Sequence, residues 1–320
     1  MSLLEAIDVS VAFPLPGQSN PRATWNAVES ACLKVEPCER VGVVGESGSG
    51  KTTLAKALLA LEPLAAGRVL FNGKDIAGMD RQSLEQFRRG AQMIFQDPMG
   101  SLNPRMSVGT AIGEVLAVHR IGTAAERSKR VADLLAQVGL EPAYAGRYPH
   151  EFSGGQRQRI GIARALAVGP SLLVADEPVS ALDVSIQAQI LNLLADLSEQ
   201  RQMAILLIAH DLAVVNTVCE RVLVMYLGRI VEEGPAAAVF AKPLHPYTEA
   251  LRAAVPDPDD RPGNIAVVGL ADGETPSACL KPDGCVFHTR CSKAGAICRE
   301  QAPALREISA GRRAACHFPG

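Results

Sequence analysis

The sequence predicts an α/β fold built on a mainly parallel sheet, and three observations carry that expectation. Short apolar runs of strand length recur at 41–44, 172–174, 205–208 and 222–224, with helical patterns between them. The first run leads directly into a glycine-rich stretch, GESGSGKTT (45–53), and then into the helix former TLAKALLAL (53–61). Between the second and third runs, Ile186, Ile190, Leu193, Leu194 and Leu197 fall at helical spacing. Strand, turn, helix, strand in repetition is the pattern of a parallel sheet covered by helices.

From the N-terminus, Ile7, Val9, Val11 and Phe13 alternate with smaller or polar residues and predict a strand. PLPGQSNPR (14–22) reads as a loop, and residues 31–35 as a second strand. Val69, Leu70 and Phe71 followed by Asn72-Gly73 predict a strand entering a tight turn. Residues 107–150 are mostly helical in pattern, with Leu134, Leu135 and Val138 forming an apolar stripe. The composition changes at VPDPDDRPG (255–263), which reads as a linker or domain edge. Beyond it periodicity is weak, and five of the chain's eight cysteines, Cys279, Cys285, Cys291, Cys298 and Cys316, fall in the last 42 residues.

Bulk properties exclude several classes. With 48% hydrophobic residues the chain is long and apolar enough for a sizeable core. A net charge of −2 gives no reason to expect nucleic-acid binding through bulk charge. The start MSLLEAIDVS lacks a basic segment, and no apolar run approaches the roughly 20 residues that cross a bilayer. The expectation is a cytosolic protein, in which clustered cysteines point to metal more than to disulfides.

The glycine-rich stretch fits G-x-x-x-x-G-K-[ST] between a strand and a helix. Gly45, Glu46, Ser47, Gly48, Ser49, Gly50, Lys51, Thr52 and Thr53 would present converging backbone N–H groups to phosphate oxygens. The helix start adds partial positive charge. Lys51 would reach the β- and γ-phosphates and Thr52 would ligate Mg²⁺. A flexible Gly/Ser turn is the plainer alternative. The run LLVADE (172–177) places Asp176 and Glu177 at a strand's C-terminal end, where ligands of such sheets lie. Asp176 would hold Mg²⁺ through water and Glu177 would polarise the attacking water; otherwise the strand simply ends in solvated acids.

FSGGQRQR (152–159) separates this chain from other phosphate-loop proteins. Ser153 is a good N-cap, and Gly154-Gly155 leave first-turn N–H groups open, so this is a second anion-binding helix start. With one lysine loop and two anion sites, a head-to-tail dimer uses both; the alternative is an ordinary capped helix.

These combined motifs resemble the nucleotide-binding subunits of ABC transporters over most of residues 4–250. GESGSGKT looks like the family's Walker A, LLVADE its Walker B and FSGGQRQR its signature, with phenylalanine where leucine is commoner. The resemblance implies an α/β P-loop RecA-like core with a mainly parallel sheet, an N-terminal antiparallel β subdomain, a helical subdomain over about 97–152 and a Cys-rich C-terminal extension. The nucleotide-binding domain would span 1–254 and the extension 255–320. By the same resemblance Gln96 is the Q-loop glutamine that contacts Mg²⁺ and senses the transmembrane partner. SALD, with Ser180 and Asp183, is the D-loop at the dimer interface, and His210 is the switch histidine at the γ-phosphate. Phe13 falls near the aromatic that stacks on adenine. Plainer readings are a surface amide, a strand-end histidine and a core phenylalanine. Glu177 and His210, often missing from degenerate sites of the family, are both present.

QDPMGSLNPRMSVG (96–109), PLHPYTEALRAAVP (243–256) and the tail resemble the dipeptide/oligopeptide importer branch. Cys285, Cys291, Cys298 and Cys316 are separated by 5, 6 and 17 residues. Four thiolates can saturate a tetrahedral Zn²⁺ or a [4Fe–4S] cluster. Zinc modules use close C-x₂₋₄-C pairs, which are absent here. The spacing resembles the cluster-binding tail of some peptide-importer ATPases, so [4Fe–4S] is favoured over zinc or metal-free thiols, with Cys279 left over. His288 and His317 lie beside ligands and could replace one, but supporting or surface roles are expected of them.

The resemblance implies two ATPase domains closing on two ATP and reopening after hydrolysis. Residues 45–53 of one subunit would meet Ser153, Gly154, Gly155 and Gln156 of the other. Partners would be a second, different ATPase subunit, two permease subunits and, indirectly, an extracytoplasmic binding protein, with no nucleic acid. The chain would sit at the cytoplasmic face of the membrane. Alternatives are the same role for nickel or another small solute, a soluble ABC ATPase of repair or translation, or a redox-regulatory protein using ATP only as a ligand. Repair types insert long coiled coils and translation types usually carry two cassettes, whereas this chain has one cassette and no heptad insertion.

Overall fold

The computed structural model describes residues 1–15, 23–97, 100, 102–255, 279 and 281–320. In chain order the strands are β1 (Leu4–Pro14), β2 (Thr24–Val35), β3 (Arg40–Val44), β4 (Ala66–Phe71), β5 (Lys74–Asp75), β6 (Ala91–Ile94), β7 (Leu172–Asp176), β8 (Ala204–Ala209), β9 (Arg221–Tyr226), β10 (Arg229–Pro235), β11 (Arg306–Ser309) and β12 (Arg312–Ala314). The α-helices are α1 (Lys51–Leu58), α2 (Arg81–Gly90), α3 (Val108–Val118), α4 (Ala124–Gln137), α5 (Gly154–Leu166), α6 (Val184–Arg201), α7 (Leu212–Val218), α8 (Ala236–Ala241), α9 (Pro246–Ala253) and α10 (Ala296–Glu300). The expected loop at 16–22, most of the expected linker (256–263), and positions 98, 99 and 101 of the 96–109 stretch lie outside the described residues.

The chain divides into two compact units. One holds residues 2–35, 40–77 and 208–320; the other holds 36–39 and 78–207 together with Met1.

In the first unit, an antiparallel sheet runs in the order β2-β1-β4-β5. Strict alternation along β1 is broken. Asp8 sits at φ 50, and the pairing with β2 shifts register between Ala6 and Val9. The bulge turns the strand, so Ala6, Val9 and Ser10 are buried while Ile7 and Phe13 are only partly covered. Asn72 (φ 49) and Gly73 (φ 75) make the expected two-residue turn from β4 into β5. The unit's other strands run in the order β11-β12-β10-β9-β3. β3 pairs parallel to β9, with Val41 opposite Arg221 and Val44 opposite Val224. β10 returns antiparallel to β9, and β12 pairs with β10 at Glu232–Ala314. The cysteine-rich tail is therefore bound by strand pairing within this unit.

In the second unit β6 and β7 pair in parallel from Ala91–Leu172 to Ile94–Ala175, with β8 on β7's other edge. α6 buries Ile190, Leu194 and Leu197 as its spacing predicts, while Ile186 and Leu193 stay partly exposed. Leu134, Leu135 and Val138 are buried as expected, and a Thr123–Glu126 capping box starts α4. α2, β6, β10, β11 and β12 are elements the sequence reading did not resolve. α2 buries only Phe87 in a charged stretch, and the tail strands are too short to show a period.

Candidate active site

Candidate residues occur in both units and are described unit by unit. In the first, the phosphate loop runs from β3 into α1, which starts at Lys51 and ends at Leu58, earlier at both ends than the expected 53–61. Gly48 (φ 78) and Gly50 (φ 100) adopt left-handed backbone, and Gly50 caps α1 without a side-chain hydrogen bond. No acidic side chain stands in the helix's first turn. The helix start is thereby left to an external anion. Lys51, only 4% exposed, folds back: its Nζ donates to the carbonyls of Gly45 (2.7 Å) and Glu46 (2.8 Å) and to Ser49 Oγ (3.4 Å). The lysine so ties the backbone of the loop together.

Gly45 is sterically required. A Cβ there would lie 2.1 Å from the Met225 carbonyl oxygen and 2.9 Å from Ser49 Oγ. Met225 is wholly buried in β9 and cannot yield. Gly45→Ala is expected to destabilise the chain by about 2–3 kcal/mol in denaturant unfolding and to weaken ATP binding at least about tenfold; a variant with wild-type midpoint and affinity would remove this constraint.

Phe13 pairs with Trp25 across β1 and β2, ring centroids 6.0 Å apart. The aromatic candidate is thus a pair, half of it unnoticed in sequence although Trp25 is the chain's one tryptophan. His210 is exposed just past β8, and Asp211 caps α7 by accepting from Ala213 N–H at 2.7 Å.

In the second unit, Asp176 ends β7 and is 2% exposed. Glu177 follows at φ 43, a strained backbone for a non-glycine residue. Gln96 Nε2 donates to Glu177 Oε2 at 3.0 Å, and the Ser180 hydroxyl donates to the Glu177 carbonyl at 3.2 Å. The Q-loop and D-loop candidates therefore hold the proposed water-activating residue from its side chain and its backbone. Gln96, Glu177, Ser180 and Gly154 share the wall of a cavity of about 200 Å³.

Ser153 and Gln156 form a reciprocal cap at α5: Ser153 Oγ accepts from Gln156 N–H (3.3 Å), and Gln156 Oε1 accepts from Ser153 N–H (3.0 Å). Ser153 and Gly154 are exposed, so the helix start faces solvent. The glycines have a second cause beyond open N–H groups. A Cβ at Gly155 would lie 2.6 Å from Ile186 Cγ2, and one at Gly154 3.2 Å from Leu182 Cδ2. Asp183 stands at the N-cap position of α6 and is exposed.

Of the tail cysteines, Cys285, Cys298 and Cys316 are buried and Cys291 half-buried. Burial pushes the Cys285, Cys291 and Cys316 thiols up, and neighbouring cysteines of the same four add to it. His288 Nδ1 and His317 Nε2 each contact a backbone carbonyl at 2.9 Å, those of Cys285 and Gln301. The four-thiol donor set suits a soft metal site. The sequence favours a [4Fe–4S] site on these four cysteines; among the described residues no group of three or more His, Cys, Asp or Glu side chains is arranged to hold a metal ion.

Residues 28–180 match the ABC transporter family, and residues 231–298 match the oligopeptide/dipeptide transporter C-terminal region. A probable peptide ABC transporter ATP-binding protein of Sinorhizobium fredii is 52% identical, covering 91% of this chain and 82% of the relative. The chain belongs to the ABC transporter ATP-binding proteins. Its C-terminal region places it in their oligopeptide/dipeptide branch. The oligopeptide transport ATP-binding protein AppF of Bacillus subtilis is 46% identical over 99% of this chain and 97% of its own. OppF of Salmonella typhimurium is 47% identical over 95% and 92%. The dimeric ADP- and Pi-bound ATP-binding cassette MJ0796 superposes with a TM-score of 0.65 at 28% identity, covering 73% of this chain and 98% of that one. Among the described residues no helix is long and apolar enough to cross a membrane.

The sequence reading missed two features of this ABC protein's site. Glu46 is gripped by Arg290 of the tail, and Tyr247 of the His-Pro-Tyr segment accepts the Glu46 backbone N–H at 2.7 Å. The only sequence signal for Arg290 is its place directly before Cys291.

Proposed function

We propose that this chain is the ATP-hydrolysing subunit of an ABC importer for di- and oligopeptides. Residues 1–254 act as the nucleotide-binding domain and 255–320 as an extension. The observation that carries the reading is the contact of Gln96 with Glu177 beside a solvent-facing, capped signature helix, in a chain whose lysine loop offers an uncapped helix start. Residues 45–53 of one protomer and Ser153, Gly154, Gly155 and Gln156 of a second, different ATPase subunit enclose ATP. Thr52, Gln96 and Asp176 hold Mg²⁺, Phe13 with Trp25 takes the adenine, Ser180 and Asp183 face the partner, and His210 contacts the γ-phosphate. Closure excludes bulk water and fixes the donors around the transferred phosphoryl group. Two permease subunits, fed by an extracytoplasmic binding protein, take up the motion through the segment around 97–150, with the chain on the cytoplasmic face. Purified with its partner ATPase and permeases in vesicles, it should drive peptide uptake that requires Mg-ATP. Uptake of nickel but not peptide would reassign the cargo, and ATP hydrolysis unaffected by the permeases would sink the transport role.

Cys285, Cys291, Cys298 and Cys316 hold a [4Fe–4S] cluster, which when bound cross-links a tail with little core of its own. Their spacing in sequence and the burial of Cys285, Cys298 and Cys316 support that ligand set. Anaerobically purified protein should be brown with about four iron per chain; colourless, zinc-loaded protein would reject it.

A further inference from the structure

We propose that Arg290 is a positioning residue for the phosphate loop: from within the cysteine-rich extension it neutralises and holds Glu46, and so sets the affinity of the loop for a nucleoside triphosphate. This rests on the ATP-binding reading above.

Glu46 is an awkward residue for a loop that receives polyphosphate, because its carboxylate adds repulsion where anions must collect. Arg290 answers it with a two-pronged pair, Nη1 to Oε2 at 2.9 Å and Nη2 to Oε1 at 3.1 Å. Side-chain exposures are 6% for Arg290 and 18% for Glu46, so water screens the pair poorly. Arg290 Nη1 also donates to Tyr226 Oη at 3.3 Å, and the guanidinium carbon lies 5.8 and 5.9 Å from the Tyr226 and Phe287 ring centres. Burying the arginine has a cost: its Nε has no hydrogen-bond partner among the described residues.

The grip extends to the backbone. Tyr247 Oη accepts the Glu46 N–H, and the Glu46 carbonyl accepts from Lys51 Nζ at 2.8 Å. Tyr247, Tyr226 and Phe287 pack together with centroids 4.5 to 5.4 Å apart. Arg290 closes the 3₁₀ turn His288–Arg290, which starts on the Cys285 carbonyl (His288 N–H, 3.0 Å) and runs straight into Cys291. The thiol-bearing module therefore mounts the cation that neutralises the loop. The loop alone, with its carboxylate uncompensated, would be a poorer anion site.

The test is ATP affinity of the full chain, measured with a fluorescent ATP analogue, for wild type, Arg290→Gln, Glu46→Gln and the double variant, with iron content and unfolding midpoint recorded for each. Arg290→Gln should weaken binding about tenfold or more. Glu46→Gln in that background should recover most of the loss, because the unpaired carboxylate is then gone. A lost structural support would not be rescued by removing its partner. Should Arg290→Gln fail to fold, Arg290→Lys, which keeps the charge without the fork, should weaken binding about threefold, and that loss should vanish with Glu46→Gln. Affinity within twofold of wild type for Arg290→Gln, or an equal loss with and without Glu46, overturns the proposal. Wild-type protein that binds no ATP would sink the functional reading itself.

Discussion

Glu177→Gln is expected to leave ATP bound and to slow its hydrolysis by at least about a hundredfold, the range expected when a positioned general base is lost. Glu177 follows β7 on strained backbone at φ 43, and that conformation is held by Ser180 on its carbonyl and Gln96 on its carboxylate. Strain retained at such a position is tolerable where the surroundings over-determine it. Glutamine is nearly the same size, so the fold and the phosphate loop should persist while the carboxylate proposed to activate the attacking water is lost. The variant should accumulate as a closed, ATP-loaded dimer with its partner, visible as a shift in hydrodynamic size on adding Mg-ATP. Turnover at the wild-type rate would remove Glu177 from the chemistry.

Acid is expected to weaken the fold through His245. The ring is 2% exposed, its Nδ1 accepts the Tyr247 N–H at 3.0 Å, and it bonds the Ala315 backbone. Burial pushes its pKa down to about 3, against 6.5 ordinarily. Between those values the unfolded chain takes up a proton that the folded chain refuses. The stabilisation is whole above about pH 6.5 and is lost as pH falls toward the folded value, at up to about 1.4 kcal/mol per pH unit. Against a total stability of about 5–15 kcal/mol this is a large term. His245→Asn retains an acceptor for the Tyr247 N–H without a titratable ring. Its urea-unfolding stability should fall less steeply than wild type between pH 7 and pH 4.5. Identical slopes would show that His245 titrates normally.

The strands that carry chemistry were legible because they are short, apolar and punctuated. Residues 41–44, 172–174, 205–208 and 222–224 lie in β3, β7, β8 and β9, each read from composition alone. The Asn72-Gly73 turn was legible because it needs two positive φ values that few residue pairs accept. β1 was read as a simple alternating strand; the Asp8 bulge, which decides which side chains face inward, has no local signature strong enough to show it. The weakly periodic tail hid β11 and β12, because three- and four-residue strands are fixed by the partner they pair with rather than by their own pattern.

The same division runs through the site. A lysine loop, an acidic strand end and a capped Ser-Gly-Gly helix start are local chemistry, since backbone conformation and N–H placement follow from glycine, serine and their neighbours over a few residues. The sequence alone therefore determined the anion-binding motifs and the family they resemble. Tertiary structure alone decided that Gln96 meets Glu177, 81 positions away, and that Arg290 meets Glu46 across 244. Such pairings carry no periodic trace, because they depend on where strand pairing and side-chain burial bring distant segments together.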